Sequence, residues 1–262
     1  MKRAFIFCLF VILCSSFSSS QHMREVKRTV HLASDGTVDI ETFKGSITIE
    51  SSDNPEVVIL ARIEPDPEDR HAKESVEKTE IDIDSSAREV RIKSDYDRIQ
   101  KHRSWFSGLF DDDNVILPFV HYTISMPATA RLSIKDFKSN VRINNLRSPI
   151  DVNTYKGTAV VSGQEGGVDL ETYKGDVRVE MAKLGADSYF KTYKGKIRID
   201  VPRDAAFELR TDFGRRVDFD SEFDAIYHSK RRSGDDVHGS VNGGGPVLHL
   251  SSEKGIIRLK SR

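Results

Sequence analysis

The residues of this sequence best suited to chemistry are aromatic and basic, and they recur at fixed spacing. Thr154-Tyr155-Lys156-Gly157 returns as Thr172-Tyr173-Lys174-Gly175 and as Thr192-Tyr193-Lys194-Gly195. Looser copies are Thr42-Phe43-Lys44-Gly45, Asp136-Phe137-Lys138-Ser139, Thr211-Asp212-Phe213-Gly214 and Ser252-Glu253-Lys254-Gly255, which makes seven copies. Stacked side by side, Phe43, Phe137, Tyr155, Tyr173 and Tyr193 would form a stripe of rings bordered by Lys44, Lys138, Lys156, Lys174 and Lys194. Arg142, Arg178, Arg198 and Arg258 would lie on the strand that follows. Aromatic faces stack on sugar rings or bases, and a row of cations holds carboxylates or phosphates. The candidate ligand-binding residues are therefore Tyr155, Tyr173, Tyr193, Lys156, Lys174, Lys194, Arg178 and Arg198. The competing reading is mechanical, with ring contacts and lysine stems covering the surface and tying neighbouring strands together.

Catalytic patterns are absent. The sequence has no G-x-S-x-G elbow, no G-x-x-x-x-G-K phosphate cradle and no H-E-x-x-H zinc pair. Its eight histidines are scattered, and its two cysteines, Cys8 and Cys14, both fall in the N-terminal leader, so the usual zinc ligand sets do not form. Asp111-Asp112-Asp113-Asn114 is dense in oxygen but lacks the spacing and distal Glu of a calcium loop, and reads as an exposed acidic loop. No catalytic residue, metal site or cofactor is expected. Carboxylates on alternating strands form solvated faces, from which no glycosidase pair can be picked. A carbohydrate-active enzyme stays as the alternative, because some parallel β-helices cleave polysaccharides.

The elements that must position the ladder are strands. Apolar residues alternate on both sides of each copy, as in Val168, Leu170, Val177 and Val179, or Ile150, Val152, Ala159 and Val161. Period-two alternation marks strands with one buried face, and it turns Thr172 inward and Tyr173 outward. The copies from Asp136 to Thr211 are spaced by 18, 18, 20 and 19 residues, within the range of solenoid rungs. Two architectures fit: hairpins with Lys-Gly at each tip, or parallel rungs with Lys-Gly at a corner. Hairpin turns prefer Asn or Asp before Gly, and only stacking accounts for the same Thr, ring and Lys in every copy. The expected fold is all-β, a β-helix-like β-solenoid of about seven repeats spanning 36–262. An insertion at about 52–127 is expected to form an antiparallel cap or flank, and residues 21–35 form an N-terminal segment.

The x-h-x-h-x-T-Y-K-G-x-h-x-h repeats, Met126-Pro127 after a strand and the late Asn242-Gly243-Gly244-Gly245 resemble the adhesin family with the DUF4097-type β-strand repeat, over roughly Val38 to Leu259. That resemblance implies an exported β-helical protein and carries over no catalytic residues.

Residues 1–20 read as a secretory signal: Lys2 and Arg3, an apolar run from Ala4 to Leu13, then a Ser-rich stretch. The run is too short to span a bilayer, which takes about 20 residues, and no other stretch reaches that length. A periplasmic or extracellular location is expected, with acylation at Cys14 as a lesser option because Leu13 precedes it. Basic and acidic residues number 40 and 41, so no global field draws nucleic acid. Trp105, Phe106 and Phe110 could touch a membrane peripherally, though a plug against the core fits them better. The expectation is a non-catalytic, adhesin-like binding module for an acidic polysaccharide or an envelope protein, with a purely structural envelope role as a further alternative.

Overall fold

The computed structural model describes residues 22–99, 116–224, 226–230 and 237–262. The signal at 1–20 with Cys14, the segment carrying Trp105, Phe106 and Phe110, and Asp111 to Asn114 lie outside the described residues.

Sixteen strands and one short helix are described. In chain order they are β1 (Arg24–His31), β2 (Thr37–Ser52), β3 (Glu56–Glu64), α1 (Ala72–Lys78), β4 (Glu80–Ser85), β5 (Glu89–Asp95), β6 (Phe119–Pro127) and β7 (Arg131–Asn144). Then follow β8 (Ile150–Lys156), β9 (Ala159–Gln164), β10 (Val168–Lys174), β11 (Val177–Met181), β12 (Ser188–Val201), β13 (Phe207–Ser221), β14 (Ile226–Lys230), β15 (Val237–Val241) and β16 (Val247–Ser261).

The alternation seen in the sequence is the alternation of burial. In β10, Val168, Leu170 and Thr172 are buried while Asp169, Glu171 and Tyr173 are exposed. Each buried Val, Leu or Ile contributes about 1.5–3 kcal/mol of transfer free energy, and one core cluster runs through all the repeats. At Tyr173 and Lys174 two exposed residues follow one another, and there the backbone turns its corner.

Neighbouring copies pair in parallel, with Thr172 opposite Thr154 and Thr192, and Lys174 opposite Lys156 and Lys194. Val177 lies opposite Ile197 in the same core. Hairpins with Lys-Gly tips are therefore excluded. The β-solenoid of about seven sequential repeats is also not the architecture formed. β7 runs unbroken through its corner, pairing with β8 through its first half and β9 through its second. β12 does the same with β10 and β11. With β11 also paired to β9, the hydrogen bonding closes in the order β7–β8–β10–β12–β11–β9 and back to β7. The result is a closed six-strand parallel β-barrel with further strands attached.

Chain order fails at the C-terminal side. The last copy, on β16, inserts beside β12 and sets Ser252, Lys254 and Gly255 opposite Thr192, Lys194 and Gly195. The Thr211 copy on β13 lies one strand outward, and its Phe213 takes the buried place opposite Ser252. Its register is displaced by two residues from the motif alignment, so this copy leaves the ladder.

The insertion is not a separate cap. Its strands β5 and β6 join the two halves of β2 in parallel, and only β4 and β3 run antiparallel, next to β5 and β6. Helix α1 carries the chain from β3 to β4 and buries Val76 in the common core. Among the described residues no helix is long and apolar enough to cross a membrane.

Candidate ligand-binding site

Glycine at the corner is required by close approach. A Cβ on Gly175 would lie 1.9 Å from the Gly157 carbonyl oxygen, and one on Gly195 would lie 1.9 Å from that of Gly175. Bare backbone lets Gly157, Gly175 and Gly195 stack this tightly, with Ser139 in the equivalent place in its copy, so the corners superimpose and the residues before them fall into straight rows.

The rings form one such row. Phe43, Phe137, Tyr155, Tyr173 and Tyr193 stack with every centroid separation at 4.8 Å and interplanar angles of 3° to 7°. Within the stack each ring face is covered by the next ring, and Lys254 lies over the end ring Tyr193, so the stripe offers solvent mainly ring edges and phenolic hydroxyls. The stacking faces expected for sugars or bases are already used between neighbours. Tyr155, Tyr173 and Tyr193 are still 37%, 38% and 40% exposed.

Beside the rings runs the lysine row: Lys44, Lys138, Lys156, Lys174, Lys194 and Lys254, each directly opposite the next. The ammonium groups of Lys156 and Lys174 sit 5.6 Å from the centroids of Tyr155 and Tyr173, and that of Lys254 sits 5.5 Å from Tyr193. Among the described residues Lys138, Lys156, Lys174, Lys194 and Lys254 have no carboxylate at ion-pair distance, whereas Lys44 has Asp66 and Lys191 has Glu171. Like charges directly opposite one another in a sheet are destabilising, and this row sets lysine against lysine on successive strands, with the rings beside Lys156, Lys174 and Lys254 as the nearest compensation.

Lys44 differs from the rest. It is 8% exposed, donates to Asp66 Oδ2 at 2.6 Å and lies 4.3 Å from the Phe119 ring centroid. Partial burial works against ionisation of Asp66, but hydrogen bonds from Lys44 and the Glu68 N–H, with the charges of Lys44 and Lys138, hold its carboxyl below the usual carboxylate range.

Beneath the rings is a buried polar row. Asp136 accepts hydrogen bonds from the Ser139 N–H at 2.8 Å, the Lys138 N–H at 3.2 Å and the Thr154 hydroxyl at 2.8 Å. Burial nevertheless pushes its carboxyl up. The hydroxyls of Thr172 and Thr192, buried in the same row, have no hydrogen-bond partner among the described residues.

On the other side of the rings lies a groove of about 1010 Å³, lined by Phe137, Tyr155, Tyr173 and Tyr193 and by Lys135, Asn153, Glu171 and Lys191. These last four stand just before Asp136, Thr154, Thr172 and Thr192, the residues that open four of the copies. Sequence reasoning passed over them, although they share the outward parity of the tyrosines. Glu171 and Lys191 pair at 2.8 Å, leaving the groove of mixed charge. Farther out Asp151 faces Asp169, and its carboxyl is pushed up by burial and then by Asp169.

The structure thus brings together Tyr155, Tyr173, Tyr193, Lys156, Lys174 and Lys194. It does not bring Arg178 and Arg198 to them. Those arginines lie past the corner and share Asp200, Arg198 through Nε at 2.9 and 3.1 Å and Arg178 through Nη2 at 3.6 Å. Among the described residues no group of His, Asp or Glu is placed to hold a metal ion.

No family model matches this chain, so the DUF4097-type resemblance has no family match behind it. No curated protein matches it either. Among solved structures, a proposed cell adhesion protein from Clostridium sporogenes is similar at 11% identity, covering 92% of this chain and 100% of that one with a TM-score of 0.54. A proposed adhesin from Bacteroides fragilis aligns at 14% identity over 91% of this chain and 97% of that one, with a TM-score of 0.44. At such identities the first likeness is one of fold.

Proposed function

We propose that this protein is an exported, adhesin-like, non-catalytic binding module that holds an anionic partner along its lysine row. One observation carries the reading: lysines from successive strands stand in register with no carboxylate between them, beside a groove and a rigid stack of rings. A protein loses stability by aligning like charges unless a counter-charge arrives, and an incoming anion relieves that loss through charge-assisted hydrogen bonds. The adhesion names of the fold neighbours lie in the same direction.

The test is retention on an anionic polymer matrix. The triple variant Lys156→Glu, Lys174→Glu, Lys194→Glu should lose retention that the parent shows at low salt, and the parent's own retention should fall as salt rises, because exposed charges are screened over about 8 Å at physiological ionic strength. Retention of the triple variant equal to the parent's would overturn the proposal. A purely architectural role is the second reading, favoured by the ring faces being spent on one another. Under it, Tyr173→Ala lowers stability and leaves retention untouched.

A further inference from the structure

We propose that two copies of this chain pair face to face through the sheet face that carries the tyrosines, guided by a row of charges that matches its own reverse. This goes beyond the anionic-partner reading and does not depend on it. Three observations carry it.

The first is the charge order of the row just before the rings. Across β2, β7, β8, β10 and β12 it runs Glu41, Lys135, Asn153, Glu171, Lys191, each directly opposite the next. Read from the other end, every acid falls on a base, every base on an acid, and Asn153 on itself. A two-fold axis lying between the faces, parallel to the strands and passing at Asn153, sets Glu41 against the second copy's Lys191 and Lys135 against the second copy's Glu171. Each pair then occurs twice, as an isologous contact requires. Among the described residues Glu41 and Lys135 have no opposite charge at ion-pair distance, and Glu171 has Lys191. A copy of the same face advances by the same step per strand, so the pairs stay matched along the row.

The second is the apolar surface. Among the described residues the exposed large apolar side chains are Met23, Tyr155, Tyr173, Tyr189 and Tyr193, and the four tyrosines share this face. The same axis sets Tyr155 against the second copy's Tyr155, Tyr173 against its Phe137 and Tyr193 against its Phe43. One row farther out it sets Tyr189 against the second copy's Asp39, a phenol against a carboxylate. Tyrosine, apolar in body and polar at the tip, is among the residues that protein interfaces favour.

The third is flatness. Neighbouring rings in the stack are inclined by 3° to 7°, where adjacent strands usually twist by about 20–25°. The rows therefore run straight, and two such faces can meet along their whole width. One contact opposes the pairing, because Asp151 meets the second copy's Asp151. The motif lysines stand at the corner, past the rings, and stay outside the paired face.

The experiment follows the mass of the full chain by sedimentation equilibrium at low salt, from about 1 to about 100 µM. The parent should pass from one chain to two and no further, because a two-fold contact closes on itself. Lys135→Glu and Glu171→Lys should each weaken the dimer about tenfold or more, since like charges then meet across the interface. Mixed in equal amounts, the two variants should regain association as a heterodimer, in which positions 135 and 171 carry opposite charges at both crossings. That recovery also requires both variants to be folded. Asp151→Asn should associate more tightly than the parent. A parent that stays monomeric throughout, a dimer that neither charge variant weakens, or a mixture no stronger than its components overturns the proposal. An Asp151→Asn chain that associates no more tightly than the parent overturns the register about Asn153.

Discussion

Lys44 and Lys174 occupy the same position of the same motif and stand in one row, yet their surroundings are opposite. Lys44 is nearly covered, bonded to Asp66 and laid over Phe119. Lys174 is exposed, pressed against its own Tyr173 and without an acid among the described residues. Where the chain supplies the counter-charge, the lysine is part of the fold. Where it does not, the lysine stays exposed on the surface, at the position the proposed anionic partner would occupy. A motif residue therefore takes its role from what the rest of the chain brings to it.

The largest effect that would break the comparison acts on both lysines together, through the corner that aligns them. Gly175→Ala puts a Cβ against the Gly157 carbonyl, and should cost about 3 kcal/mol or more in chemical denaturation, because overpacking against backbone has no flexible neighbour to yield. A loss under 1 kcal/mol would mean that the corners are not tightly stacked in solution.

Next in size is the contrast itself. Lys44→Ala should cost about 2 kcal/mol, in the range of hydrogen bonds between charged groups. Lys174→Ala should stay within about 0.5 kcal/mol of the parent, as exposed charges do, and should raise stability slightly at low salt by removing a repulsion. Equal losses in the two denaturation curves would erase the distinction between structural and open lysines.

The smallest effect sharpens it with pH. Asp66 has its folded pKa below the ordinary 3.8, so its contribution is complete above the unfolded value and is lost as pH falls through the lower folded value. The stability gap between the parent and Lys44→Ala should be level from pH 7 to 5 and shrink only below about pH 4. A gap that already closes at pH 6 would show that Asp66 is not the acid involved.

Much of this arrangement was legible in the sequence. Period-two alternation around Val168 to Val179 gave the strands, their buried face and the outward place of Tyr173, because side-chain direction in a strand is a local property. The recurrence of Thr-Tyr-Lys-Gly gave the register of Tyr155, Tyr173 and Tyr193. Closure was not legible, since the alternation within β7 and β12 is the same whether their two halves pair with one strand or with two. Nor was the place of the Ser252 copy, which inserts ahead of the Thr211 copy, because copies of one motif do not state which of them are neighbours. The need for Gly175 and Gly195 at the corner, which is close approach of one backbone to the next, was not legible either. Arg178 and Arg198 lie on the strand after the corner, as read, but their pairing with Asp200 was not legible, because Asp200 stands outside the motif. The Lys44–Asp66 clasp depends on a loop that carries no repeat at all.

In-register parallel stacking of identical residues every 4.8 Å is also how fibrils grow, each new chain templated on the last. Here growth is arrested within one molecule. The outer strands β1, β4 and β14 run antiparallel to their neighbours and break the repeat, β1 carrying Arg24, Lys27 and Arg28 and β4 Glu80, Asp82 and Asp84. Charged, mismatched margins of this kind discourage a further strand from adding. The protein thus behaves as a ruler of set length, whose number of graduations is written by the strands that stop it.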